Sequence, residues 1–220
     1  GALRSLAAVL GEAGCALESL GLSFCKLSAK GVALVADGLA RNASVRHLVL
    51  SNNPLGDEGA EALARVVGGL GGALEKVDVS YAKVTASGAE SLGRACQASA
   101  TVTTVALGGN DLSGLGDAGV DILLGAGRLT TLDIGQCNLS PAAVARVLQG
   151  LGDNASLTAI DLRQNGIGSE AQAALVAAIA KNGHLDSLEL RGNKATTEMR
   201  EAVEAAWRKN SRKHRGPVFI

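Results

Sequence analysis

Apolar residues recur along the chain in a short segment that returns about every 28 residues. Each segment has apolar side chains at its first, fourth and sixth positions, with more polar residues between them. Its seven first residues are Leu17, Val45, Leu74, Val102, Leu129, Leu157 and Leu185. Consecutive starts lie 28, 29, 28, 27, 28 and 28 residues apart, which indicates internal repeats. The near alternation within each segment predicts a short β-strand with one face against a core.

The second half of each repeat predicts a helix. A small residue near each helix start lets the helix approach the strand layer: Gly31, Gly59, Gly88, Gly119, Ala143 and Ala171. Three hydroxyl side chains are candidate N-caps, namely Ser28, Thr85 and Ser169. A fourth start combines the cap Ser140 with Pro141 at the first helical position.

These patterns divide the chain into three parts. Residues 1–16 are expected to be the helix of a truncated preceding repeat, 17–210 seven repeats, and 211–220 a basic C-terminal tail. The amphipathic stretch from Thr197 to Trp207 predicts a last helix whose tryptophan closes the core. The basic run from Arg208 to Arg215 is either solvated or a contact for nucleic acid, anionic lipid or an acidic protein.

The repeated segment resembles the leucine-rich-repeat pattern L-x-x-L-x-L-x-x-N/C-x-L over about residues 3–210. The asparagine or cysteine position is filled by Cys25, Asn53, Ala82, Asn110, Cys137, Asn165 and Asn193. The period and the near alternation of Cys or Ala with Asn are similar to the ribonuclease-inhibitor-like subfamily. This resemblance implies an α/β solenoid of about seven repeats, a curved right-handed superhelix with a concave parallel sheet and convex helices. At the asparagine or cysteine position, buried side chains are expected to bond the turns of neighbouring repeats into a ladder that Ala82 interrupts.

The fourth repeat departs from the others. Its next apolar residue is expected at Leu115, three residues late, and only ten positions separate Gly119 from the following strand. These spacings predict a convex helix about one turn shorter, a glycine-rich loop before it and a notch that a partner could enter. The segment from Gly114 to Gly119 also matches G-x-G-x-x-G, but we interpret Gly119 as the ordinary repeat glycine rather than part of a dinucleotide site.

The four cysteines are predicted to be free thiols. Cys25 and Cys137 would lie four repeats apart, roughly 20 Å, and Cys15 and Cys96 three repeats apart, whereas a disulfide needs Cα atoms within about 7 Å. Free thiols favour a reducing, intracellular and cytoplasmic location. The net charge of zero, from 21 basic and 21 acidic residues, argues against nucleic acid, and no segment is apolar over enough residues to span a membrane.

No constellation for catalysis is evident. His47, His184 and His214 do not cluster, and the chain has no zinc-binding or P-loop motif. A nucleophilic pair of Cys25 and His47 is not expected, because Cys25 is predicted to be buried in the ladder. The sequence therefore predicts a non-enzymatic protein with no catalytic residue, cofactor, metal or small-molecule substrate.

The concave face is the predicted partner-binding surface. The fifth position of each repeat reads Gly21, Val49, Asp78, Ala106, Asp133, Asp161 and Glu189, an acidic column toward the C-terminal half. Stacked carboxylates ~5 Å apart repel one another unless a basic partner or nearby arginines compensate. The candidate site consists of Asp78, Tyr81, Asp133, Asp161, Arg163, Glu189 and Arg191. The alternative is a solvated face that the arginines neutralise.

The resemblance implies a scaffold or adaptor that binds protein partners within a larger assembly. Proteins similar to this chain serve as ribonuclease inhibitors, NOD-like-receptor recognition domains, tropomodulin-type actin caps and axonemal subunits, and the basic tail favours a cytoskeletal or ciliary role. The alternatives are a GTPase-activating protein, acting through Asn52, Arg163 and Arg191, and a NOD-like-receptor regulatory domain. The repeats alone do not decide among them.

Overall fold

The computed structural model describes residues 1–69 and 72–210, together with the backbone of 218–219. A three-residue strand follows each predicted repeat start: β1 Ser19–Gly21, β2 His47–Val49, β3 Lys76–Asp78, β4 Thr104–Ala106, β5 Thr131–Asp133, β6 Ala159–Asp161 and β7 Ser187–Glu189. The strands pair in parallel in chain order, so that equal positions of successive repeats are neighbours.

An additional strand extends the sheet at its C-terminal end. β8, Val218–Phe219, pairs in parallel with β7. It belongs to the stretch that the sequence predicts as a tail, so part of that tail is a strand. The remaining tail residues, 211–217 and 220, lie outside the described residues.

Helices form the second layer. Their bounds are α1 Ala2–Leu10, α2 Ala29–Leu39, α3 Gly56–Val67, α4 Ala86–Ala98, α5 Asp117–Leu124, α6 Pro141–Asp153, α7 Gln172–Lys181 and α8 Thr197–Lys209. Each helix packs against its neighbours in chain order. Neighbouring strands lie ~4.8 Å apart, whereas the axes of packed helices lie roughly 8–10 Å apart. The sheet therefore lies on the inside of the curve. No helix in the described ranges is long and apolar enough to cross a membrane.

The core lies between the two layers and is built from aliphatic side chains. The fourth and sixth positions of the repeats supply fully buried residues such as Leu48, Leu50 and Leu107. At the C-terminal end α8 contributes Trp207, whose side chain is 6% exposed. This burial agrees with the prediction that the tryptophan closes the core. Each repeat therefore buries its apolar face against its neighbours.

The fourth repeat contains a short helix and an inserted loop. α5 has 8 residues whereas α4 and α6 have 13 each, which confirms the predicted shortening. The predicted displacement of the apolar residue to Leu115 is wrong, since Leu112 occupies the regular position with no exposure. Leu115 is a second buried leucine in the loop, and the extra residues follow the regular turn rather than interrupt it.

The helix starts confirm some of the predicted caps. The Ser140 hydroxyl accepts a hydrogen bond from the Ala143 amide at 3.1 Å, with Pro141 at the first helical position. Ser28 and Thr85 occupy N-cap positions, but neither hydroxyl accepts a bond from its helix, and the Thr85 hydroxyl donates instead to Asp57 at 2.6 Å.

Ser169 is not an N-cap, contrary to the prediction. It begins a 3₁₀ turn, Ser169–Ala171, that leads into α7. The Glu170 carboxylate accepts from the Gly168 amide at 3.1 Å and stabilises this tight entry. The helix proper therefore begins three residues later, at Gln172.

Candidate partner-binding surface on the concave sheet

A buried asparagine ladder fixes the turn at the end of each strand. The Asn110 side-chain carbonyl accepts from the Ala82 and Val84 amides at 2.9 and 3.0 Å. Its amide donates to the Val79 and Leu107 carbonyls at 2.9 and 2.7 Å. Four bonds therefore join two successive repeats through one side chain. Asn165 and Asn193 repeat this pattern, and Asn53 repeats it with one acceptor bond, from the Leu27 amide.

The two cysteines of the ladder differ. Cys137 is buried, and its thiol donates to the Leu107 and Gly135 carbonyls, both at 3.4 Å. Cys25 is exposed, so the prediction that it is buried in the ladder is wrong. Its thiol donates within its own turn to Ser23, because no described repeat lies in front of the first one. Burial raises the pKa of the Cys96 and Cys137 thiols to about 12.

The residue just before the ladder position adopts a left-handed backbone in all seven repeats. Its φ values are 57° at Phe24, 59° at Asn52, 54° at Tyr81, 72° at Gly109, 56° at Gln136, 51° at Gln164 and 71° at Gly192. Only glycine adopts this region without strain. These side chains therefore lie at the strand-end edge of the concave face for reasons of backbone geometry, which apolar periodicity does not reveal.

The predicted acidic column is present as neighbouring positions of the sheet. Asp133 pairs in register with Asp161, and Asp161 with Glu189. Asp78 lies opposite Ala106, so one uncharged repeat separates it from Asp133. We refer to Asp78, Asp133, Asp161 and Glu189 as the acidic strip.

Each carboxylate of the acidic strip also closes its own turn. The backbone amides of Ser80, Gly135, Arg163 and Arg191 donate to Asp78, Asp133, Asp161 and Glu189, each at 2.9 Å. The acceptor in every case is two residues before the donor. Sequence reasoning missed this structural role, although an acidic residue at the fifth position in four repeats was a usable signal. The bonds occupy one oxygen of each carboxylate.

Two arginines lie against the strip. Arg163 contacts Asp161 at 3.1 Å and Asp133 at 3.8 Å. Arg191 binds Glu189 through two guanidinium nitrogens, with a closest distance of 2.6 Å. Asp78 has no ion pair with any described residue. The strip and its two arginines therefore carry a net negative charge.

Burial and pairing move the carboxyl pKa values in opposite directions. Burial raises the pKa of Asp133 and of Asp161, and the neighbouring carboxylates add to the rise. At Glu189 burial acts in the same direction, but the bonds from Arg191 outweigh it and the net pKa is lowered. Holding Asp133 and Asp161 charged therefore has a free-energy cost that their surroundings only partly offset. A cation placed against the two carboxylates would reduce that cost.

Tyr81 belongs to a different part of the concave side. Its ring lies over Gly109, where an added Cβ would come within 2.2 Å of Cε1 of Tyr81. Its hydroxyl donates to Gln136, and the Gln136 amide donates in turn to Gln164. This side-chain ladder spans the third to sixth repeats along the strand-end edge. Gln136 was not among the predicted site residues, because the fold alone brings it next to Tyr81.

The arrangement suits recognition of charge rather than chemistry. Within the described ranges no group of three or more His, Cys, Asp and Glu side chains could hold a metal ion. His47 and His184 lie in the second repeat and just before the seventh, and His214 lies outside the described residues. Of the three glycines in the G-x-G-x-x-G match, Gly119 has a structural role, since an added Cβ there would meet Leu115 at 2.5 Å.

Comparisons with known proteins agree with the repeat architecture. A family model described as Leucine Rich repeat matches residues 41–64 and 153–176. The NACHT, LRR and PYD domains-containing protein 13 of Homo sapiens is 35% identical over 159 residues, which cover 70% of this chain and 15% of that protein. The ribonuclease inhibitor of Sus scrofa is 31% identical over 149 residues, which cover 65% of this chain and 32% of the inhibitor.

The chain spans a third or less of the length of these two relatives. Among solved structures, the tropomodulin C-terminal domain of Caenorhabditis elegans superposes with a TM-score of 0.52 at 13% identity, covering 96% of this chain and 93% of that domain. That likeness shows a shared fold. The 28-residue period, the asparagine ladder and these matches show that the chain belongs to the leucine-rich-repeat family, with repeats of the ribonuclease-inhibitor-like type.

Proposed function

We propose that the chain is a non-enzymatic interaction domain that binds a protein partner on its concave face, with the acidic strip as the electrostatic centre of contact. The observation that carries the proposal is the stack of Asp133, Asp161 and Glu189 on three adjacent strands. A partner surface with lysine or arginine side chains would complement this stack. Arg163 and Arg191 lie against the strip and would contribute the edge of the interface.

The energetics favour a basic partner. Removing two neighbouring carboxylates from water raises their free energy when they are charged, and the raised pKa values of Asp133 and Asp161 express this penalty. A cationic side chain from a partner would offset part of it at every position of the stack. Because the sheet is rigid, binding would require little reorganisation of the backbone.

Affinity capture tests the proposal. The wild-type chain is compared with a variant in which Asp78, Asp133, Asp161 and Glu189 are all changed to Lys. The matched control changes four exposed carboxylates of the helices to Lys, namely Asp37, Glu58, Glu61 and Glu201. Both variants have the same net charge and differ in where the charge lies, although the strip variant also loses the turn-closing bonds of its carboxylates.

We expect a protein captured by the wild type and by the helix control to be lost from the strip variant. Circular dichroism and thermal unfolding establish that the strip variant is folded. Equal capture by both variants would show that the partner does not use the concave face.

A second candidate is a regulatory repeat domain within a larger protein of the NOD-like-receptor kind. The similarity to the human NACHT, LRR and PYD domains-containing protein 13 favours it. In this case the concave face would contact another module rather than a separate protein. Titration of the chain with a purified NACHT domain from that relative tests the idea, with saturable binding expected and no binding contradicting it. A cytoskeletal or axonemal assembly remains a prediction from the resemblance alone.

A further inference from the structure

Two large aromatic side chains are exposed at the strand-end edge of the sheet, away from the acidic strip. Phe24 is 76% exposed and Tyr81 is 46% exposed. Both occupy the left-handed position that precedes the ladder residue, in the first and third repeats. Phe24 does not pack against the core. Among the large apolar side chains of the described residues, Phe24 has the largest exposed fraction.

The fold does not require an aromatic residue at this position. Gly109 and Gly192 occupy it in the fourth and seventh repeats with the same left-handed backbone. A bulky residue there has a backbone strain that glycine avoids. Tyr81 compensates through its contact with Gly109 and its bond to Gln136. Phe24 is 76% exposed and lies outside the core cluster of the described residues, so burial does not explain its side chain.

A lysine accompanies each aromatic residue two positions later. Lys26 and Lys83 are exposed and also have positive φ values, 53° and 59°. Neither forms an ion pair with a carboxylate in the part of the chain that the structure describes. A shallow surface pocket of about 420 Å³ lies beside the second pair, lined by Tyr81, Lys83 and Gly109 among others. We refer to Phe24, Lys26, Tyr81 and Lys83 as the aromatic–lysine rim.

We propose that the aromatic–lysine rim binds an extended acidic peptide segment of another protein. Apolar side chains of the peptide would contact the Phe24 and Tyr81 rings, and its carboxylates would pair with Lys26 and Lys83. The two aromatic positions are two repeats apart, ~10 Å at ~4.8 Å per strand. A peptide in the extended polyproline II conformation rises ~3.1 Å per residue with three residues per turn, so apolar residues three apart lie on one face, ~9 Å apart, and would reach both rings.

The observations favour a peptide over single-stranded nucleic acid, which also combines stacking with cations. Two lysines would neutralise few phosphates. The carboxylates of Asp57 and Asp111 lie close to the Tyr81–Lys83 pair, where Asp57 binds Thr85 and Asp111 lines the pocket. They would repel a phosphate backbone, whereas a peptide can place its carboxylates at the lysines alone.

Fluorescence anisotropy on the full chain tests the proposal. The probe is a labelled eight-residue peptide with leucines at its second and fifth positions, each followed by aspartate. A matched peptide has lysine in place of each aspartate. The protein variants are Phe24→Gly and Lys83→Gln, with Lys194→Gln as the control, since Lys194 is exposed and occupies the repeat position of Lys83 in a repeat outside the rim.

We expect the wild type to bind the acidic probe and not the basic one. Phe24→Gly should weaken binding about tenfold, the loss typical of removing one interface anchor, while its melting temperature stays equal or rises because glycine relieves the strain. Lys83→Gln should weaken binding and reduce its dependence on salt. Lys194→Gln should bind as the wild type does.

Three results would overturn the proposal. They are no binding of the acidic probe by the wild type, unchanged binding by Phe24→Gly, and displacement of the probe by single-stranded RNA at a lower concentration than by unlabelled peptide. The test is separate from that of the concave function, because it uses different residues and a different probe.

Discussion

At the scale of single residues, the asparagines of the ladder have the largest calculable effect on stability. Asn110 is 3% exposed and satisfies four backbone groups of two repeats. We expect Asn110→Ala to lower the free energy of unfolding by about 3 kcal/mol, because buried amides and carbonyls would lose their partners. Urea unfolding followed by circular dichroism measures the change.

The natural cysteine at the equivalent position supplies the control. Cys137 is buried and retains bonds to two carbonyls. Asn110→Cys should therefore be destabilised by less than the alanine variant. If the two variants unfold at the same urea concentration as the wild type, the ladder does not hold the repeats together.

The carboxyl group of Asp133 should make stability depend on pH. Burial raises the pKa of Asp133 in the folded chain. Its contribution to the free energy of unfolding is therefore fully present below the ordinary aspartate pKa, about 3.9, and is lost as pH rises through the raised folded value. We expect Asp133→Asn to be as stable as the wild type or more so at neutral pH, with this relative gain disappearing in acid. Thermal unfolding of both proteins across this pH range measures the difference in stability. An Asp133→Asn variant that is less stable than the wild type only at neutral pH would contradict the account.

Sequence reasoning located the residues of the acidic strip but not all their contacts. The period of the repeats fixes which positions are neighbours, so Asp133, Asp161 and Glu189 could be placed side by side in advance. The turn-closing bonds of these carboxylates and the left-handed backbone before the ladder depend on local dihedral angles. Apolar spacing carries no information about those angles, and for that reason Gln136 was missed. Cys25 was wrongly placed because a position in the pattern does not say whether a neighbouring repeat covers it.

At the scale of elements, the close approach of α1 and α2 depends on one glycine. An added Cβ at Gly38 would lie 2.6 Å from the Ala7 carbonyl oxygen and 2.8 Å from its Cα atom. Because these atoms belong to the backbone, Gly38→Ala should push α1 away and lower the free energy of unfolding by about 2 kcal/mol. Hydrogen exchange should accelerate in α1 but remain unchanged in α6.

Gly14→Ala is the matched control, because an added Cβ at Gly14 meets no atom within 4 Å. Exchange in α1 that is equally slow in both variants would show that this contact is not tight. The assignment of residues 1–16 to a truncated preceding repeat remains a prediction, although α1 packs on α2 as successive helices of the solenoid do.

The existence and the order of the strands and helices of the repeats could be predicted from the sequence, whereas some of their boundaries could not. The shortened α5 could be predicted because the count of residues to the next strand limits its length. The start of α7 could not, because the 3₁₀ turn depends on a contact between Glu170 and Gly168. β8 could not be predicted either, since two residues carry no periodic signal and the pairing with β7 is a long-range contact.

At the scale of the whole molecule, the concave side carries two kinds of surface. The acidic strip lies mainly on β5 to β7, and the aromatic–lysine rim lies beyond the ends of β1 and β3. The total charge of zero does not show that the acidic strip and the lysines of the rim lie apart. Their separation becomes apparent when equal positions of the repeats are compared. The convex notch expected near Gly114 remains a prediction, and the concave strip is the more specific candidate because its groups are neighbours in register.

Hydrogen exchange of the chain with and without the captured partner tests most directly whether the acidic strip is the binding surface. The account predicts slower exchange of the amides at Gly135, Arg163 and Arg191, which donate to the strip carboxylates. It predicts no change in α3, α4 and α6 on the convex side. Slower exchange confined to those helices, with the strip amides unchanged, would contradict the proposed function and show that the partner binds the helical surface.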